Sequence, residues 1–236
     1  MKAAVTPLRI PLPSGTTVSA MLRQPAQPGA CVVLAHGAGA GMNHPFMADL
    51  AAALGERDIA TLRFQFPFME QGSKRPDSPA VAHEAVRAAV AEAATHLPGV
   101  PLFAGGKSFG ARMSSQAQAD KPLDHVRGLI FVGFPLHPAG KPATDRAAHL
   151  AKVTVPMLFL QGTRDTLADL ALIRQTTEGF GTLADLHVVD GADHSFHVLA
   201  RSGRNDAEVM ENLADTTVRW IGKVASGGKP MAPGSG

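Results

Sequence analysis

Ser108, Asp165 and His194 are the residues of this chain whose types could together do chemistry. A serine hydroxyl is a poor nucleophile until a base removes its proton, and imidazole does this near neutral pH. A carboxylate on the far ring nitrogen fixes the tautomer and stabilises the imidazolium that forms. Such a set attacks acyl carbonyls, and the tetrahedral intermediate carries an oxyanion that needs preorganised donors. The backbone N–H groups of Phe109, beside the serine, and of Ala38, within Gly37-Ala38-Gly39, are the natural pair.

The serine lies in Gly105-Gly106-Lys107-Ser108-Phe109-Gly110, between an apolar run, Leu102-Phe103-Ala104, and a segment of helical character from about Ala111. At a strand-to-helix corner of this kind the turn is strained and the hydroxyl stands clear of the backbone. Glycines two residues to either side let the neighbouring strand and helix pass close by. The Gly-Lys-Ser triplet also fits the end of a phosphate-binding loop. That loop needs a glycine where Pro101 stands, and proline lacks the N–H that would face phosphate. The phosphate reading fails.

The elements that must position these residues alternate. An antiparallel hairpin is expected over Leu8 to Leu12 and Thr17 to Leu22. Six apolar runs follow near residues 31–35, 60–64, 100–104, 128–132, 156–160 and 184–189. Most are nearly continuous in Val, Leu, Ile and Phe, as strands covered on both faces should be. Helices are expected over Pro45 to Arg57, Ser78 to His96 (Ser78 as N-cap), Ala111 to Asp120, Leu167 to Thr177 and Asp206 to Val224. Alternation of this kind predicts an α/β fold with a mostly parallel sheet, and ligands then bind beyond the carboxyl ends of the strands. Ser108, Asp165, His194 and the turn His36-Gly37-Ala38-Gly39 each follow a different strand at that edge.

Other residues compete for the roles. His197 lies close to His194 but farther past its strand. Asp190 and Asp193 precede His194 on one loop and would have to fold back, whereas Asp165 reaches across from the adjacent strand. His36 is read as a brace for the glycine turn. Gly39, Arg63, Lys107 and His137 are candidate substrate contacts, with a loop role open for His137. Lys107, Arg63 and Lys141 are read either as solvated charges or as a positive lean toward anionic substrates. Arg112 is expected to tie loops together through a carboxylate such as Glu70. No histidine spacing suits a metal, and no metal or cofactor is expected.

A formal net charge of +2, from 22 basic and 20 acidic residues, does not make a basic face, so nucleic acid is not an expected partner. Cys31 is the one cysteine, which excludes an intramolecular disulfide, and it opens an apolar run as a small buried hydrophobe. No stretch approaches the roughly 20 apolar residues that cross a bilayer, and Met1 to Pro13 has no apolar signal core. The expectation is a cytoplasmic protein, a monomer or weak homodimer, with no membrane partner. One domain is expected over 1–225, followed by a loose tail, 226–236, rich in Gly, Pro and Ser.

The chain resembles a compact α/β hydrolase. More narrowly, it is similar to the family that includes an animal testis-expressed protein and a subunit of a histone acetyltransferase complex, and more distantly to dienelactone hydrolases, whose nucleophile is cysteine. The resemblance lies in His36-Gly37-Ala38-Gly39, Arg63-Phe64-Gln65-Phe66-Pro67, Gly105 to Arg112, Pro135-Leu136-His137-Pro138, Gln161-Gly162-Thr163-Arg164-Asp165 and Asp193-His194-Ser195-Phe196. It implies a three-layer α/β hydrolase fold, with a mostly parallel sheet of about eight strands and an N-terminal antiparallel hairpin. It also implies an esterase-type hydrolase using Ser108, Asp165 and His194.

The segment Gly133 to Lys152, with Pro135, Pro138 and Pro142, is too short for a large cap, so an open site for small or flexible acyl groups is expected. The expectation is therefore a serine hydrolase acting on a small-molecule carboxylic ester or thioester. A non-catalytic interaction module of the same fold, or an acyltransferase using the same residues, stands as the alternative.

Overall fold

Alternate residues of a strand point to opposite faces, and that periodicity sorts this chain into layers. A computed structural model describes residues 3–227. Cys31, Val33 and Ala35 enter one apolar core, while Val32 and Leu34 enter a second. Leu129 and Phe131 join the first core and Ile130 and Val132 the second. A sheet with two apolar faces must be covered on both.

The chain supplies the cover in order. β1 (Ala4–Pro11) and β2 (Thr17–Gln24) form the hairpin; β3 (Ala30–Ala35), α1 (Pro45–Gly55) and β4 (Ile59–Phe64) follow. Next come α2 (Pro67–Glu70), α3 (Pro79–His96), β5 (Leu102–Lys107), α4 (Phe109–Asp120) and β6 (Val126–Val132). A 3-10 helix, Asp145–Lys152, leads to β7 (Met157–Gly162), α5 (Leu170–Glu178), β8 (Ala184–Val189) and α6 (Asp206–Ala225). The eight strands lie in the order β1-β2-β4-β3-β5-β6-β7-β8. β2 pairs antiparallel with β1 and β4, and the remaining neighbours are parallel. α3, α4 and α5 cover the first core through Val86, Met113 and Ile173; α1 and α6 cover the second through Leu50, Leu213 and Trp220. This is the three-layer α/β hydrolase fold.

Local chemistry explains most boundaries. Pro45 and Pro79 open α1 and α3, where a missing N–H costs nothing. Asn205 and Glu208 form a reciprocal capping box at the start of α6. Ser78 holds the N-cap position of α3, but its side chain makes no capping bond. α5 begins later than expected, at Leu170, because Asp169 caps it through the Leu172 N–H. β5 runs on through Gly105 and Gly106 to Lys107, beyond the expected end at Ala104, since both glycines pair with β3 and β6. α4 accordingly starts at once, at Phe109 rather than Ala111.

The connection from β6 to β7 contains the 3-10 helix and no larger element. Ser226 caps α6, and the expected tail from residue 228 onward lies outside the described residues. Among the described residues, no helix is long and apolar enough to cross a membrane.

Candidate active site

Gly105 and Gly106 explain why Ser108 stands where it does. They have φ of 155° and 150°, and a Cβ would lie 1.9 Å from the Ile130 carbonyl oxygen at Gly105 and 2.0 Å from that of Ala35 at Gly106. Only glycine lets β5 run this close to β6 and β3. The strand then breaks sharply at Ser108, with φ 52° and ψ −111°. Serine in such a conformation is strained by about 1–3 kcal/mol. The surroundings hold it: the Ser108 N–H donates to Val132 O at 3.1 Å, and the Arg112 N–H donates back to Ser108 O at 3.1 Å.

The hydroxyl of Ser108 meets the imidazole of His194, with Oγ and Nε2 2.9 Å apart. His194 Nδ1 lies 2.7 Å from Asp165 Oδ2. With Asp165 as a carboxylate, Nδ1 carries the ring proton and donates it, leaving Nε2 to accept from the hydroxyl. The Asp165 side chain is fully buried, while that of His194 is 24 % exposed. Two further donors hold the carboxylate: Gln161 Nε2 on Oδ2, and the Leu167 N–H on Oδ1 at 2.8 Å. Gly162 allows the approach, because a Cβ there would lie 2.3 Å from Ala192 O on the histidine loop.

Phe109 is the first residue of α4, so its N–H has no acceptor within the helix. Ala38 and Gly39 line one cleft with Ser108 and His194, a cavity of about 350 Å³ lined also by His44, Phe46, Met47 and Leu167. The glycine turn is braced from beneath. His36 is buried; its Nδ1 donates to Gly37 O at 2.8 Å and its Nε2 accepts the Phe66 N–H at 3.0 Å. Burial pushes its pKa below the usual imidazole range, which suits a neutral brace. Gln65 Oε1 accepts the Met42 N–H at 2.8 Å.

Two of the expected substrate contacts, Arg63 and His137, are buried and do not line the cleft. Arg63 is 4 % exposed and points beneath the glycine turn, where its Nη1 donates to Met42 O at 2.9 Å. His137 is 3 % exposed; its Nε2 accepts the Asp169 N–H at 2.8 Å and its own N–H donates to Leu167 O. Both residues bond the backbone of neighbouring loops, and neither is among the residues that line the cleft. Lys107 does line the cleft, and its ammonium donates to the backbone carbonyl of His194. Neither of the two better-enclosed cations, Arg63 and Lys107, is a solvated entrance charge. Arg112 is likewise not tied to Glu70, which bonds Arg9 and Ser19 instead. Of the four candidates, Gly39 and Lys107 line the cleft, and no atom lies within 4 Å of a Cβ built on Gly39.

The rival groups are occupied elsewhere. Asp193 Oδ1 accepts the N–H groups of Ser195 and His197, and His197 pairs with Asp206 at the surface. Asp190 meets Thr163. Cys31 is fully buried, and desolvation pushes its thiol up to about 12. His44, Phe46, Met47 and Leu167 line the cleft without being among the residues expected there from the sequence. The one signal that could have found them is His44-Pro45, a helix start placed directly after the glycine turn.

The chain matches the family described as an alpha/beta hydrolase domain over residues 28–222. It is similar in structure to an alpha-beta serine hydrolase homologue from Coxiella burnetii, at 23% identity and TM-score 0.71, covering 89% of this chain and 96% of that one. A dienelactone hydrolase from Anabaena variabilis aligns with TM-score 0.76 at 17% identity, over 95% and 99% of the two chains. A serine hydrolase without lid from Xanthomonas campestris aligns with TM-score 0.72 at 22% identity, over 99% and 98%. Identities this low speak for the shared fold alone.

Proposed function

Because the chain belongs to the alpha/beta hydrolase domain family, we propose that it is a serine hydrolase cleaving a small carboxylic ester or thioester through an acyl-Ser108 intermediate. The observation that carries this reading is the continuous hydrogen-bonded line from Ser108 Oγ through His194 to Asp165, at 2.9 and 2.7 Å. It ends on a carboxylate buried with three donors around it and begins on a serine held at φ 52°.

The steps follow from the geometry. Ser108 Oγ attacks the acyl carbon as its proton passes to His194 Nε2, and the imidazolium is stabilised by the Asp165 carboxylate. The carbonyl oxygen becomes an oxyanion held by the N–H groups of Phe109 and Ala38; loss of one such donor typically costs about 10²–10³ in kcat. Collapse of the intermediate breaks the bond to the alcohol or thiol, which leaves with the proton from Nε2. Water then enters, gives a proton to Nε2 as its oxygen attacks the acyl carbon, and releases the acid with Ser108 restored.

Substrate size follows from the cleft. Beside His44, Lys107 and Ser195, its walls are small or apolar (Gly37, Ala38, Ala40, Phe46, Met47, Leu167), and the β6–β7 connection brings no large element over it. This supports short or flexible acyl groups and a single domain over 1–225 without a large cap. The similar protein from Xanthomonas campestris is itself described as lacking a lid. Fluorophosphonate labelling tests the reading. Strong labelling of the wild-type chain, lost in Ser108→Ala and His194→Ala, is expected; a folded wild-type protein that does not label would refute it.

A further inference from the structure

Lys107 ends β5 directly before Ser108, and its side chain reaches the opposite loop. Its Nζ donates to the backbone carbonyl of His194. It also lies 5.4 Å from the ring centroid of Phe196 and 5.8 Å from that of Phe46, and the two rings stack on each other 24° from parallel. Gly133 completes the enclosure, since a Cβ there would come within 3.0 Å of Nζ and 3.4 Å of His194 Cε1. An ammonium so enclosed loses hydration, and it is held by one carbonyl dipole and two ring faces.

We infer that Lys107 is a positioning residue for the general base, clamping the His194 loop onto the strand that carries the nucleophile. This rests on the serine-hydrolase reading above. Ser108 follows β5 and His194 follows β8, and β6 and β7 lie between those strands. Through Lys107 they become joined directly, because the residue before the nucleophile grips the carbonyl of the base itself. The ammonium bond to His194 O and the Oγ–Nε2 contact then form two arms between the same short segments. A clamp with two arms limits the rocking of the imidazole, and a displacement of about 1 Å at such a site can cost 10²-fold in rate.

The Phe46 and Phe196 rings give the clamp its dependence on charge, since a neutral amine has no attraction to them. The charged groups that act on Nζ are the carboxylates of Asp165 and Asp193, and the His194 imidazole lies beside it around Gly133. Phe46 from α1 and Gly133 after β6 bring no charge. Desolvation lowers the ammonium pKa to about 8.

The test compares wild type, Lys107→Met, Lys107→Arg and Ser108→Ala in fluorophosphonate labelling rate and in p-nitrophenyl acetate hydrolysis between pH 6 and 10. Folding is checked by circular dichroism. Lys107→Met is expected to lower kcat and the labelling rate roughly 10–10²-fold with KM changed less than threefold. Lys107→Arg should recover most of the loss. The wild-type kcat should fall as pH rises through about 8, and Lys107→Met should show no such limb. Equal kcat in wild type and Lys107→Met, or the same alkaline profile in both, would overturn the positioning role while leaving the hydrolase reading intact. Absence of Ser108-dependent labelling would overturn both.

Discussion

The α-carbon of Gly110 faces the carbonyl of Ala35 so closely that an added Cβ would lie 2.3 Å from its oxygen and 2.5 Å from its carbon. Both partners are backbone, so neither can swing away. The contact seats the first turn of α4 against the end of β3, beside the glycine turn that β3 leads into. The relative placement of the Phe109 N–H and Gly37-Ala38-Gly39 therefore depends on one missing methyl group.

Gly110→Ala is expected to push α4 from the sheet, costing about 1–3 kcal/mol of stability and most of the activity. Gly39→Ala has open space around its Cβ and should stay within about 0.5 kcal/mol of wild type. Urea unfolding of the two variants separates them; equal stability would refute the contact argument.

Asp165→Asn keeps the shape of the acid but removes the charge that opposes the imidazolium. A loss of about 10⁴-fold in kcat is expected, with the fold retained. Asp193→Asn preserves the oxygen that accepts the Ser195 and His197 N–H groups, so its kcat should remain within a few-fold of wild type. Reversal of that order would mean the acid is Asp193.

Arg63→Met removes a buried donor from the Met42 carbonyl. It should destabilise the protein by about 1–3 kcal/mol through the unpaired carbonyl. The ratio of kcat/KM for a neutral and an anionic ester of equal size should not change, because the guanidinium lies under the turn. A change in that ratio above fivefold would restore Arg63 as a substrate contact.

His149 bears on acid stability. Its Nε2 lies 2.8 Å from Ser115 Oγ, and burial together with the nearby Arg112 and His83 pushes its pKa down to about 4. Between about pH 4 and 6.5 the unfolded chain binds a proton that the folded chain refuses, so stability rises with pH across that window and is lost as pH falls through it. His149→Gln should flatten this limb. The wild-type loss from pH 7 to pH 4.5 should exceed the variant's by on the order of 2 kcal/mol, read by urea unfolding at the two values.

Ser108, Asp165, His194 and the glycine turn were legible as candidates because each directly follows an apolar run. In an alternating βαβ chain every such position falls at one sheet edge. The structure brings those residues together, within 2.7–2.9 Å for the three side chains. Less legible were the strand and helix ends around Gly105-Gly106. Glycine by local preference weakens a strand, whereas here the close passage of β3 and β6 requires it.

The sequence by itself determined the layering, the strand-to-helix corner at Ser108 and the residue types needed for acyl chemistry. These depend on period-two and period-3.6 patterns and on short-range turn chemistry, which neighbours along the chain supply. The direction taken by the long polar side chains was decided only by the tertiary structure. Arg63, Lys107 and His137 all stand near strand ends, and their spacing is compatible with an open entrance. Their partners are backbone carbonyls and an amide from loops distant in sequence: Met42 for Arg63, His194 for Lys107 and Asp169 for His137. A side chain with several rotatable bonds goes where an unpaired backbone group must be satisfied, and the location of that group is known only once the loops have folded.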